Sequence, residues 1–563
     1  MYTSNLAPLS ALIVLVAAPA VARPQGVSHL LSVDFNGTHA VGGNGAPVLS
    51  GDGRYVAFSS AANDIVPGDT NGTWDVFVRD LQTGTTIQAS LSETGAPFSG
   101  ESRNPALSAD GRFIVFSTLP KRIYIRDLAL GINENVNVST SGTTGNGDGQ
   151  TDFAYAVTPD GRFVAFASLA SNLVAGDTNN KADVFVRDRQ ANTTERVSVS
   201  SLGEQGLDYS VKTAISDDGR FVAFESYADN LVPNDANDWA DVFVRDRWLS
   251  TTARVSVNAN GVQAHLGAAR PSLSSDGRWI AFESASSNLV PGDGNGMNDV
   301  YVRDLQSGAI ELVSRAKNGV AAGGFGPALS YDGRFVAFVS DSDALVFDDH
   351  NGHADVFVFD RATGSTYMAG RSASGDQGNG DAAEVALSGD GRWLAFDTFA
   401  SNLAASDTNG IRDYFAHELG AVIPQRYCQA KLNSQNCTPS IAHSGSASSS
   451  SSSPFLLQAH SVLNQKTGYL FYGLGASSTP FLGGTMCVAF PLRRTPGQSS
   501  GGTASPAVDC SGVLAFELNA WIQAGVDPAL IAGGVVNAQF AYRDPGDAFK
   551  LGLTDALQFV ISN

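Results

Sequence analysis

Oxygen-bearing side chains recur six times in this chain in the pattern Asp-x-Asn-x-x-x-Asp. The copies are Asp69, Asn71 and Asp75; Asp177, Asn179 and Asp183; Asp235, Asn237 and Asp241; Asp293, Asn295 and Asp299; Asp349, Asn351 and Asp355; and Asp407, Asn409 and Asp413. The residue after each Asn is Gly72, Asn180, Asp238, Gly296, Gly352 or Gly410, all of which tolerate left-handed backbone. Carboxylate and amide oxygens set alternately around such a turn are how calcium loops gather hard ligands. The next position varies freely (Thr73, Lys181, Trp239, Met297, His353, Ile411) and offers a metal only its carbonyl, so each loop would be a weak calcium site. The same residue types also build Asx-turns, in which the side chains bond the loop backbone and no metal is needed. The sequence leaves both readings open.

Other chemistry is sparse. Gly497-Gln498-Ser499-Ser500-Gly501 fits the spacing of a nucleophile elbow, but it follows Pro496 rather than an apolar strand. No histidine lies beyond His460 to complete a Ser-Asp-His order. His350 and His353 sit among Asp348, Asp349 and Asp355, yet the other copies of that loop have no histidine. The four cysteines (Cys428, Cys437, Cys487 and Cys510) all lie in the last quarter, an even number that predicts two disulfides. Three pairings are open, and the local one, Cys428–Cys437 with Cys487–Cys510, is favoured.

The elements that position the acidic loops repeat with a period of about 56 residues. Asp-Gly-Arg begins at Asp52, Asp110, Asp160, Asp218, Asp276, Asp332 and Asp390. A second motif, Asp-Val-Phe-Val-Arg-Asp or a near variant, begins at Asp75, Asp183, Asp241, Asp299, Asp355 and Asp413. In the second repeat the corresponding stretch, Ile123 to Asp127, comes early, and the acidic loop is missing. The fourth repeat shows the logic. Thr213 to Ser216 predicts a strand, Asp218-Gly219 a tight hairpin turn, and Arg220 to Glu225 a strand apolar on both faces. Asp241 to Asp246 and Arg254 to Val257 predict the third and fourth strands.

Four antiparallel strands per repeat and seven repeats predict an all-β, seven-bladed propeller. The seventh repeat lacks a fourth strand, and Leu30 to Val33 supplies a matching one ahead of the first repeat, so the ends should close the ring and remove an open edge. The recurring Arg and Asp of the second and third strands, such as Arg220 and Asp246, predict structural ion pairs. The long second-to-third and fourth-to-first links open on one face, and variable loops on a rigid scaffold are where recognition occurs.

These motifs resemble the TolB-type propeller repeat, with a Ser-Pro-Asp-Gly turn, an Ile-Ala-Phe strand and an Asp-Ile-Tyr-Val strand. Thr158-Pro159-Asp160-Gly161 followed by Arg162 to Phe166 is the nearest copy, and the resemblance covers about residues 28–420. It implies a propeller of the bacterial exported class. Such propellers serve as partner-binding modules, as gates on peptidases, or as glycan lyases.

Composition sets the outer bounds. A formal charge of −20 excludes a phosphate-backbone partner, because no basic stretch is present to release counterions. Residues 1–22 predict a signal peptide: Leu6 to Ala22 is apolar, and Ala20-Val21-Ala22 gives a small-residue cleavage site. Residues 28–420 form the propeller, 421–426 a linker, and 427–563 a small β-rich, sandwich-like module resembling those appended to exported bacterial repeat proteins. The reading is an exported monomer with no membrane span after signal removal, acting at the cell envelope or outside the cell. It would be a non-catalytic protein- or glycan-binding or structural module, possessing calcium-stabilised loops under the metal reading. The alternatives are a metal-assisted glycan lyase or hydrolase working on the loop-rich face, and a calcium-dependent carbohydrate binder.

Overall fold

A computed structural model describes residues 28–561, apart from 36–39, 41–45, 120–121, 148–153, 317, 347–348, 363, 373–374, 406, 408–409, 420–424, 428–429, 445–446, 451–453, 505–507 and 532–534. The predicted signal peptide of residues 1–22, most of the predicted linker, Cys428 and Asn409 therefore lie outside the described residues.

Seven four-stranded antiparallel sheets form the blades of a propeller. Blade four runs from its inner strand Ser210–Ile215 through Phe221–Ser226 and Asp241–Asp246 to its outer strand Thr251–Arg254. The second and third strands are apolar on both faces because each sheet is covered by a neighbouring blade on either side. Phe224 and Phe243 stack across them with ring centroids 5.8 Å apart, and most other blades repeat the pair.

The Asp-Gly-Arg motif explains the joint between blades. In blade four Asp218 accepts the Ser216 hydroxyl and the Arg220 amide, which fixes the turn. Gly219 has φ +71°, and a Cβ there would run into the Phe163 ring of the preceding blade. The same fit recurs around the ring and across its seam, where Gly53 of blade one faces Trp393 of blade seven. Arg220 then pairs with Asp246 at 2.7 Å, and equivalent pairs tie five more blades. The expected ion pairs are thus present, each a partly exposed Arg on a mostly buried Asp, and Asp246 also caps the turn that follows it.

The ring is closed by the N-terminal segment. Ser28–Leu30 pairs with Asp413–Glu418, with Leu30 opposite Phe415, and completes blade seven. The strand lies slightly earlier than Leu30–Val33, and the fourth strand of blade four likewise ends at Arg254, not Val257. The cause is common to both. Ser32 and Ser256 turn their hydroxyls onto Asp413 and Asp241, each at 2.5 Å, and so end the ladder. Blade two, whose third strand is Arg122–Asp127, has no acidic loop, as its spacing requires.

The C-terminal part packs a three-stranded sheet (Ser440–Ser444, Leu456–Val462, Gly512–Glu517) and a larger sheet around one core. Leu457 and Leu514 from the first meet Leu470 and Phe540 from the second. The favoured local cysteine pairing is wrong: Cys437 is bonded to Cys510, with Cα atoms 6.5 Å apart. Ser440–Ser444 and Gly512–Glu517 both run antiparallel to the strand between them, so they begin at the same end of the sheet. Cys437 and Cys510 each precede one of those strands and meet there. Cys487 is also disulfide-bonded.

Candidate functional site: acidic loops and an axial pocket

The acidic loops pack against the fourth-to-first links, so both sets of long links share one face. In blade one the Asn71 amide donates to Asp75 at 2.7 Å and to the Phe98 carbonyl at 2.9 Å, while its oxygen accepts the Thr73 N–H. Asn179, Asn237 and Asn351 repeat all three bonds, and Asn295 repeats the Asp and backbone N–H bonds. Each Asn oxygen is thus engaged by the loop backbone in an Asx-turn. The second Asp of each loop is buried, and in four loops it accepts a serine hydroxyl fifteen residues later: Ser90 on Asp75, Ser198 on Asp183, Ser256 on Asp241 and Ser314 on Asp299. Burial pushes the carboxyls of Asp69, Asp75, Asp177, Asp183, Asp241 and Asp299 above the usual range. Asp355 goes furthest, to about 7, through burial and the nearby charge of Asp349, and Gly370 stands where the serine would be.

Among the described residues no group of three or more His, Cys, Asp or Glu side chains converges to hold a metal ion. His353 bonds Asp381 at 2.9 Å on the surface, and the His350 backbone N–H donates to Gln377. Ser499 lies in the short strand Gln498–Ser499 paired with Thr467 and Gly468, without the strand-to-helix turn of a nucleophile elbow.

A second site lies on the axis of the ring. The inner strands surround an axial cavity of about 430 Å³, lined among others by Arg103, Asn104, Tyr155, Lys212, Arg270 and Glu384. Several inner strands carry a bulge at the same point, between Arg103 and Ala106, Val211 and Thr213, and Ala269 and Ser272. Such bulges re-aim side chains. The residues at the bulges, Asn104, Lys212 and Arg270, hold left-handed backbone at φ 55°, 48° and 53°. A non-glycine residue there costs of order 1–3 kcal/mol, a strain that clusters at ligand sites.

Buried acids hold this conformation in place. Glu283 accepts the Gly326 N–H at 2.7 Å, Glu225 the Arg270 N–H at 3.3 Å, and Asp397 the Glu384 N–H at 2.8 Å. Burial raises all three carboxyls. Arg270 of blade five reaches past blade six to both oxygens of Glu384 in blade seven at 3.0 Å. The wall therefore presents charges of both signs, already matched to one another, beside the apolar faces of Pro105, Pro271 and Pro327.

The opposite end of the axis is shut. Tyr331 of blade six packs where a Cβ on Gly51 of blade one or Gly389 of blade seven would stand. Backbone bonds link successive turns there, among them Gly51 N–H to Ala109, Ser275 N–H to Tyr331 and Tyr331 N–H to Gly389. Burial pushes the Tyr331 hydroxyl well above its usual range. The cavity is a blind pocket whose mouth lies at the bulged, loop-side half of the inner strands. The one large residue at a turn position held elsewhere by Gly51, Ala109, Pro159, Asp217, Ser275 and Gly389 was the available signal for it.

No family model matches the chain, and no curated protein matches it. Solved structures that resemble it include TolB from Acinetobacter baumannii, at 16% identity and a TM-score of 0.34 over 57% of this chain and 62% of that one. The match thus spans less than two thirds of that TolB chain. Oligogalacturonate lyase from Vibrio parahaemolyticus matches at 12% identity and a TM-score of 0.44, over 70% and 98% of the two chains. Hydrazine synthase from Kuenenia stuttgartiensis matches at 13% and 0.37, over 65% and 94%. The assignment of the fold rests on the strand pairing and the closed ring of blades, which these likenesses accompany.

Proposed function

We propose that this chain is an exported, non-catalytic binding propeller that takes a protein or polysaccharide partner on its long-loop face, with one group of the partner entering the axial pocket. The observation that carries this reading is the blind pocket: strained residues aim polar side chains into it from one end, and Tyr331 closes the other. Charges of both signs beside proline faces suit a polar, weakly charged group such as a sugar ring, since a strongly charged ligand would face an equal opposing charge. The Cys437–Cys510 disulfide supports an oxidising compartment. Among the described residues no helix is long and apolar enough to cross a membrane. Calcium belongs to this reading as a structural ion at blade one.

The test is binding to a panel of polysaccharides by the full chain and by two variants. Ala46→Trp narrows the pocket mouth, and Lys212→Met removes one of its charges. A ligand bound by the wild type and lost in both variants supports the reading. Turnover of that ligand, lost in the same variants, would replace it with an enzyme.

A further inference from the structure

Each acidic loop buries two carboxylates near each other, and the blades answer that repulsion differently. In blade three the guanidinium of Arg196 lies 3.8 Å from Asp177 and 3.3 Å from Asp183, and the Gln205 amide donates to both at 3.1 Å. In blade four Arg254 lies 3.1 Å from Asp235 and 3.6 Å from Asp241, with Gln263 donating to both. Blade five uses a neutral donor: Tyr301 replaces the usual Phe, and its hydroxyl donates to Asp293.

Blade one has none of these. The arginine position, thirteen residues after the second Asp, is Gln88, and the position of Gln205 is taken by Pro97. Asp69 is 7% exposed, and neither of its carboxylate oxygens has a hydrogen-bond partner; the Asn71 N–H helps it only weakly against burial and the charge of Asp75. Gln88 is 8% exposed, and its Nε2 makes no well-aligned hydrogen bond, although it lies near enough to the Asp75 carboxylate to favour the charged form. An unsatisfied buried carboxylate is costly unless something charged meets it. Rotating the Gln88 side-chain amide by half a turn would aim its oxygen at the same spot. Gly68 and Gly72 face open space, which leaves a way in for an ion.

We propose that blade one binds a divalent cation of the calcium class in the position that Arg196 and Arg254 fill in blades three and four. Asp69, Asp75 and the Gln88 amide oxygen supply hard oxygen ligands, and water completes a shell that calcium accepts flexibly. Asp75 keeps its bonds from Ser90 and Asn71, since each carboxylate oxygen has a second lone pair. The repeats thus contain both an ion site and its built-in replacement, and the ion site stands whether or not the axial pocket takes a partner.

The test is equilibrium dialysis of the full chain against calcium, with magnesium as competitor, alongside thermal melting with and without chelator. Gln88→Arg copies the arrangement of blades three and four and should fold. It should bind one calcium fewer than the wild type, and its melting temperature should lose the part of the calcium response that blade one contributes. Asp69→Asn should also lose one ion. Absence of calcium binding by the wild type at millimolar concentration, or an unchanged number of bound ions in Gln88→Arg, would overturn the proposal.

Discussion

Asp355 should make the propeller less stable as pH rises through neutrality. Its carboxyl is 4% exposed, and burial holds its pKa at about 7, against 3.8 when the chain is unfolded. The reason is local: Asn351 donates to it at 2.7 Å, but the hydroxyl that serves Asp75, Asp183, Asp241 and Asp299 is replaced by Gly370. Between pH 3.8 and 7 the folded protein holds this proton and the unfolded chain does not. Stability therefore falls as pH rises across that window, and the full cost is present above pH 7. At about 1.36 kcal/mol per pH unit, the span corresponds to about 4 kcal/mol. Asp355→Asn keeps an oxygen for Asn351 and removes the charge. Urea denaturation of both proteins in chelator from pH 4 to 8 should show the variant gaining on the wild type as pH rises, with the two closest near pH 4. A variant less stable than the wild type at pH 7.5 would show that the Asp355 charge is compensated in the fold, and the burial argument would fail.

His417 has the opposite sign. It is buried in the closure seam with its Nδ1 3.2 Å from the Ser28 hydroxyl, and burial lowers its pKa to about 3 from 6.5. Its neutral form contributes stability above pH 6.5 that is lost as pH falls toward 3, about 5 kcal/mol in all. His417→Gln should shift the acid-unfolding midpoint downward, and an unmoved midpoint would count against a neutral buried imidazole. The Cys437–Cys510 bond closes a span of 73 residues, for which chain entropy predicts about 4 kcal/mol. Cys510→Ser should lower the melting transition of the C-terminal part, and equal melting of oxidised wild type and variant would refute that contribution.

What was legible in the sequence is what short-range chemistry decides. The Asp218-Gly219 turn, the Arg220–Asp246 pair and the Asn237 Asx-turn are each closed within 26 residues of chain, so residue types at fixed spacing specify them. Seven copies of the Asp-Gly-Arg turn predicted the blades, and the orphan strand at one end with the missing strand at the other predicted their closure. Contacts between distant residues escaped that reading. The Arg270–Glu384 pair spans 114 residues, and the Tyr331 plug touches Gly51 from five blades away along the chain. The cysteine pairing followed which strands flank Leu456–Val462, not the shorter separation. Most telling is the acidic loop, whose own residues are nearly the same in blades one, three and four. Whether it carries its countercharge is set by residue 88, 196 or 254 on the outer strand, because only strand pairing brings that side chain over the two carboxylates.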